Sequence, residues 1–174
     1  MKNELLEFYK SISMISKVYH SDIRGVYHTV SWVSLFEFGD GEKLGVSSGG
    51  IWTIENKNGL YLLDVPKNYL YCVSMLEFPV QFIVLEIQKK IKNIVEEDSI
   101  YTLFPFYEIL EFTLGNMNDD YWFELAMTWY NTLKNWEKIR LESFLLAICE
   151  NKKFSQKNRQ TAYKEIKCIQ KMKK

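Results

Sequence analysis

The chain has 174 residues, 47% of them hydrophobic and 25% charged, which is ordinary globular composition and unlike that of disordered proteins. Basic and acidic residues number 22 each, so the formal net charge is zero. This length lies within the usual size of one domain, and we expect residues 1–174 to fold around a single core.

Membrane insertion and secretion find no support in the sequence. The most apolar segment, residues 78–87, contains polar side chains and is far shorter than the ~20 apolar residues of a membrane-spanning helix. The N-terminus has acidic residues where a signal peptide is apolar. The three cysteines are too widely spaced for a disulfide framework or a metal motif: Cys72, Cys149 and Cys168. We expect a cytoplasmic protein whose thiols are reduced and mostly buried.

Residues 1–20 are predicted to form an amphipathic helix, because six apolar residues repeat at helical spacing: Leu5, Phe8, Tyr9, Ile12, Ile15 and Tyr19. Asp22 to Gly25 interrupts this pattern. From Val26 the period changes to two, which predicts a strand with His28 half-buried among its inward positions. The predicted change from helix to strand between residues 22 and 50 depends on that alternation alone.

Residues 25–78 are predicted to be β-rich, as a small antiparallel meander. Gly39-Asp40-Gly41 is a turn signal. Asn56-Lys57-Asn58-Gly59 separates two short apolar runs and is typical of a hairpin loop. Tyr69 to Phe78 is rich in residues that favour strands, and it is either a last strand or a helix.

Residues 79–174 are predicted to be helical. Val80 to Ile94 places apolar residues at spacings of three and four after Pro79, and a second helix is expected from Glu108 to Leu114, closed by Gly115. Further helices are expected after a cap at Asn118 or Asp119, over Trp136–Cys149, and after a cap at Ser155. The expected fold is therefore α+β: an N-terminal helix, a small antiparallel β-meander and a C-terminal helical layer of four to five helices.

Charge is distributed unevenly along the chain. Residues 151–174 hold nine basic residues against Glu165, a net charge of +8, and residues 1–150 therefore carry −8. An acidic body favours a basic partner, through steering and through complementary contacts. The basic last helix is explained equally well as a solvated face whose cations suit the helix dipole. Arginine is scarce, at three residues, which argues against nucleic acid as the partner.

Catalytic and cofactor motifs are not found. The two histidines, His20 and His28, belong to no metal-binding pattern, and residues 45–50 lack the lysine and the helix of a phosphate-binding loop. A nucleophile pair of Ser47 or Cys72 with His28 is conceivable, but no spacing supports it. We therefore expect no enzyme activity, no metal and no cofactor; a small hydrolase using His28 is the weakest alternative.

Two acidic clusters, each followed by tyrosine, are candidate contact residues for a partner. Glu96 to Asp98 is expected to follow the C-terminal end of a helix, where acids oppose the dipole, and a locally unfavourable pattern points to an interaction surface. Asp119 and Asp120 are expected in a first helical turn. Tyrosine beside acids is frequent at interface hot spots. The candidate partner-binding residues are Glu96, Glu97, Asp98, Tyr101, Asp119, Asp120 and Tyr121.

In size, in its acidic and tyrosine-rich character, and in its hairpin followed by helices, the chain resembles the immunity proteins of bacterial toxin systems, such as the contact-dependent growth inhibition immunity proteins. The resemblance implies a non-catalytic protein that binds one cognate toxin domain, commonly a nuclease, with 1:1 stoichiometry. A nuclease surface is usually basic because it meets phosphate, which fits an acidic body. The alternative is a nucleic-acid-associated or regulatory factor that uses the basic last helix.

Overall fold

The computed structural model describes residues 2–25, 28–92 and 95–173. The chain divides into two compact units, Met1–Pro105 and Phe106–Lys174. The first unit contains an N-terminal helix, an antiparallel sheet and further helices, and the second is built from helices in the residues described. The predicted α+β class is therefore confirmed, whereas a single core for residues 1–174 stays a prediction.

The N-terminal helix, α1 (Lys2–Ser13), buries Leu5, Phe8 and Ile12. It is shorter than predicted, because Val18–Asp22 forms strand β1 instead of the last helical turn. Val18 and Tyr19 pair there with Val33 and Trp32 of the next strand. β-Branched and aromatic side chains suit such cross-strand positions, so tertiary pairing prevails over the helical repeat.

Five strands form one sheet in the order of the sequence, each antiparallel to the next: β1, β2 (Thr29–Phe38), β3 (Glu42–Ser47), β4 (Trp52–Asn56) and β5 (Gly59–Leu62). The predicted turns at residues 39–41 and 56–59 are confirmed. The predicted start of the second strand at Val26 lies outside the described residues. The sheet curls, since Ile23 bridges Leu60 and the Arg24 N–H donates to the Leu60 carbonyl at 2.8 Å. The first and last strands thus approach each other as in a half-barrel.

Strand β2 is buried on both faces rather than alternating. Residues 32–36 are all buried, because α1 packs on β2 and so does helix α2 (Val80–Lys90). The register shifts between Ser34 and Phe36, which is a β-bulge. Opposite Ser34, Gly45 of β3 lies so close to β2 that a Cβ atom there would be 2.1 Å from the Val33 carbonyl oxygen. A side chain at position 45 is incompatible with this pairing.

Helical segments follow the last strand, so the β-rich region ends at Leu62, earlier than predicted. Tyr69 to Glu77 belongs to a 3-10 helix (Pro66–Glu77), so the helical alternative is confirmed for this segment, and Phe78 follows the helix in an extended conformation. Helices α2 and α3 (Glu97–Leu103) come next. Ile94, a predicted apolar position, is outside the described residues. Among those described, no single helix is long and apolar enough to cross a membrane; only the 3-10 helix and α2 taken together reach that length and composition, with a bend of 100° between them.

The second unit consists of α4 (Phe106–Asn116), α5 (Asp120–Tyr130), α6 (Asn135–Arg140), α7 (Glu142–Glu150) and α8 (Gln156–Met172). The predicted caps are confirmed, because Asp119 accepts from the Trp122 N–H at 3.0 Å and Ser155 accepts from the Asn158 N–H at 3.2 Å. Two boundaries differ from the prediction. Trp136–Cys149 is two helices that meet at Leu141, and Gly115 lies inside α4, where a Cβ would be 2.9 Å from the Phe144 ring.

Candidate functional site

The acidic segment Glu96–Asp98 lies at the beginning of a helix, not after the end of one. Helix α2 ends because Lys92 adopts a left-handed conformation, with φ of 52°, and Glu96 is the N-cap of α3. Acidic side chains at that end are favoured by the helix dipole, so the predicted local cost is wrong. No glycine marks the end of α2, which is why the sequence did not reveal it. The Glu97 side chain is outside the described part of the structure.

A cleft of about 300 Å³ separates α1 from this acidic start of α3. It is lined by Glu4 of α1 and by four residues of α3: Asp98, Ser99, Thr102 and Leu103. The Thr102 hydroxyl donates to the backbone carbonyl of Asp98 at 2.9 Å. Asp98 and the adjacent Glu96 are exposed, and neither has an ion-pair partner among the described residues. The lining of the cleft therefore includes no lysine or arginine, and the exposed acids at the start of α3 are not ion-paired within the described structure.

The second acidic candidate, at the start of α5, has a structural role. Asp119 caps α5, and the Asp120 carboxylate accepts from the Ser155 N–H at 2.9 Å and from the Asn158 amide at 2.8 Å. The Ser155 N–H, helped by the Asn158 amide, holds the pKa of Asp120 below its usual value. Tyr121 of this group is 54% exposed and packs edge-on against Trp122.

The candidate residues thus fall into two groups. Glu96, Asp98 and the half-buried Tyr101 belong to the first unit, and Asp119, Asp120 and Tyr121 belong to the second. Tyr130 of α5 is fully buried.

A partly buried polar cluster in the second unit was not predicted. The Tyr107 hydroxyl donates to Glu111 at 2.8 Å, and the Arg140 guanidinium lies 4.3 Å from the centre of the Tyr107 ring. Burial raises the pKa of Glu108, and the charges of Glu111 and Glu137 act in the same direction. Its members are scattered along the sequence and match no motif, so only the fold reveals it. The contacts connect α4 with α6, and we assign the cluster a structural role.

The basic C-terminal segment has an inner and an outer group of cations. Lys157 pairs with Glu124 at 2.8 Å, and Lys173 pairs with Glu142, so α8 neutralises acids of α5 and α7. The outward face of α8 carries four exposed residues: Tyr163, Lys164, Lys167 and Lys171. Lys167 lies 5.1 Å from the centre of the Tyr163 ring, and Lys164 and Lys171 have no partner in the described part of the chain.

The residues considered for nucleophilic catalysis are not brought together. His28 precedes β2 and is exposed, so its predicted half-burial is wrong; β2 begins later than the alternation implied. The Ser47 hydroxyl donates to the Ile51 carbonyl at 3.0 Å instead. Burial raises the pKa of the Cys72 thiol. Cys149 is half-buried and Cys168 exposed, so mostly buried thiols were predicted correctly only for Cys72.

Among the described residues, no group of three or more histidine, cysteine, aspartate or glutamate side chains is placed to hold a metal ion. The function has to be inferred from the surfaces described above. Comparison of the chain with protein-family models, with curated proteins and with solved structures yields no match.

Proposed function

We propose that the chain is a non-catalytic binding protein that binds and neutralises a cognate bacterial toxin in the cytoplasm. The observation that carries this proposal is the acidic cleft between α1 and α3. Glu96 and Asp98, at the start of α3, are exposed acids without an ion-pair partner among the described residues, and the lining of the cleft includes no lysine or arginine. A guanidinium or ammonium group from a partner would supply the missing positive charge.

The partner that suits this cleft has a basic surface, such as that of a nuclease domain. The positive end of α3 amounts to about half an elementary charge, so the carboxylates of the cleft outweigh it and the site remains anionic. Residues 1–105 hold thirteen acidic and ten basic residues, which adds a negative field that steers a basic protein toward this unit. Covering a nuclease's phosphate-binding residues would block its activity.

Capture of the partner tests the proposal. The full chain, immobilised and exposed to a lysate of its native host, is expected to retain a protein that arrests growth when expressed alone. Co-expression of the chain should restore growth, and purified chain should inhibit the captured protein at a 1:1 ratio. Retention of proteins whose expression is harmless, or growth arrest that the chain does not relieve, would contradict the proposal.

A second function, binding of single-stranded nucleic acid, is favoured by the outward face of α8. Residues 163, 164, 167 and 171 are i, i+1, i+4 and i+8, which places them on one side of the helix. Lysines can contact successive phosphates while the ring of Tyr163 stacks on a base. With arginine scarce, such binding would depend on charge and stacking rather than on base sequence.

Replacement of three lysines tests this second function without disturbing the fold. Removing residues 151–174 would also remove the buried Ala162, Ile166 and Ile169, so the variant of choice is Lys164→Gln with Lys167→Gln and Lys171→Gln. If the face binds nucleic acid, this variant weakens binding of a labelled oligonucleotide, and the slope of log K against log salt falls by about 2. The control is the triple variant of the exposed Lys10, Lys57 and Lys67. Equal binding by both variants would refute the α8 site.

A further inference from the structure

A cleft of about 470 Å³ lies beside the bulge of β2, in the first unit and separate from the acidic cleft. It is lined by residues of β2 and α2 and by Phe78, which follows the 3-10 helix. The lining residues are Leu35, Phe36, Glu37, Phe78, Phe82, Glu86, Lys89 and Lys90. This volume is in the range of small-molecule sites, which is about 300–1,000 Å³.

One wall of the cleft is aromatic. The rings of Phe78 and Phe82 stack at 5.9 Å, and both meet the ring of Phe36 edge-on, at 5.6 and 6.3 Å. Phe36 is buried, whereas Phe82 is 44% exposed on α2. The cleft thus offers an ordered ring surface, held from beneath by the sheet, to an apolar group from solution.

Charged side chains lie around this wall, and they differ in their pairing. Lys89 is neutralised by Glu86 at 2.6 Å. The Lys90 ammonium donates to the Ser34 hydroxyl at 3.2 Å, and Ser34 is buried. No carboxylate lies within ion-pair distance of Lys90 among the described residues.

Glu37, the other charged residue of the lining, is exposed on β2, so its carboxylate stays hydrated. Loss of water around Lys90 lowers the pKa of that ammonium, although the charge of Glu37 acts in the opposite direction. A charge that has lost water without gaining an oppositely charged partner benefits most from an incoming counter-ion. A ligand is therefore recognised at Lys90 rather than at Glu37. The carboxylates of Glu37 and Glu86 make the cleft unfavourable for a ligand with several negative charges.

We propose that this cleft binds a small amphipathic carboxylic acid, with its ring or chain against Phe78 and Phe82 and its single carboxylate on the ammonium of Lys90. The proposal is independent of the toxin partner and of α8. Such a ligand matches both features of the cleft, because its apolar body suits the aromatic wall and its single negative charge suits the Lys90 ammonium.

Calorimetric titration of the full chain with three matched probes tests this site: 3-phenylpropionate, 3-phenylpropanol and 3-phenylpropylamine. The acid is expected to bind at least about tenfold more tightly than the alcohol, because a charge-assisted hydrogen bond is added. Lys90→Met should abolish that preference. Phe82→Ala, at a partly exposed position, should weaken binding of the acid and of the alcohol alike.

The control variant, Lys57→Met, removes an exposed lysine from the β4–β5 turn and should leave all three titrations unchanged. Three outcomes would overturn the proposal: amine binding at least as tight as acid binding, a preference for the acid that survives Lys90→Met, or no binding of the acid by a chain with a native circular dichroism spectrum. The first would assign recognition to Glu37, and the last would leave the cleft to a protein partner.

Discussion

Single residues in the sheet are constrained by how closely its strands approach. Gly45 is the clearest example, because its place opposite the β2 bulge leaves no room for a Cβ atom. In the sequence this glycine looks like part of a flexible loop. Its function as a point of close backbone approach becomes visible only once β2 and β3 are paired.

We expect Gly45→Ala to lower the free energy of unfolding of the chain by about 3 kcal/mol, because the strands must separate or the Trp32 ring must move. Gly49→Ala is the matched control, since the nearest atom to a Cβ at that position is 3.8 Å away. Urea unfolding followed by tryptophan fluorescence measures both variants. Equal stabilities for the two would show that the β2–β3 pairing at the bulge is described incorrectly.

At the scale of elements, Asp120 connects the first turn of α5 to that of α8. Because hydrogen bonds to its carboxylate lower its pKa in the folded state, this carboxylate stabilises the fold above the unfolded value of about 4. The contribution is lost as the pH falls through the lower folded-state pKa. Protonation of Asp120 in strong acid should therefore loosen the start of α8.

Asp120→Asn removes this titration and is expected to flatten the loss of stability below pH ~4. Unfolding free energies measured by urea denaturation from pH 2 to pH 7 check the slope. A carboxyl titration of the wild-type chain by nuclear magnetic resonance checks the pKa itself. An unchanged acid slope in the variant, or an Asp120 carboxyl that titrates at or above its ordinary value, would contradict this role.

Element boundaries were predictable where a residue marks them chemically. The caps at Asp119 and Ser155 and the turns at 39–41 and 56–59 were predicted from local chemistry alone, and the structure agrees. The boundaries that failed depend on distant contacts or on rare backbone geometry. Val18 leaves the helical pattern because Val33 pairs with it, and α2 is followed by Lys92, which has a positive φ. Neither boundary is marked by a local sequence signal.

The predicted site residues show the same division. Asp119 was expected both as a helix cap and as a contact residue for a partner, and it is the N-cap of α5, with its carboxylate accepting from the Trp122 N–H. Glu96 and Asp98 were chosen for a wrong reason, a helix end that is a helix start, yet they remain without ion-pair partners in the described structure. The aromatic cleft was missed, because its residues lie on three separate elements.

Across the whole molecule, the opposite net charges of residues 1–150 and 151–174 are partly neutralised by ion pairs within the second unit. Residues 106–150 hold eight acidic and three basic residues, and the α8 lysines 157 and 173 pair with two of those acids. The −8 of residues 1–150 is therefore not all available to a partner. Glu96 and Asp98, beside the acidic cleft of the first unit, have no such ion pair among the described residues, which makes that cleft central to the proposed function.

The most direct test is the association rate of the captured toxin with two double variants that change charge equally. Glu96→Lys with Asp98→Lys alters the acidic cleft, and Asp40→Lys with Asp64→Lys alters exposed turns of the same unit. We expect the cleft variant to associate about tenfold more slowly than the wild-type chain at low ionic strength, with the difference shrinking as salt is added. The turn variant should stay within about twofold of the wild-type chain. Equal slowing by both variants, or an unchanged rate for the cleft variant, would contradict the assignment of the partner to this cleft.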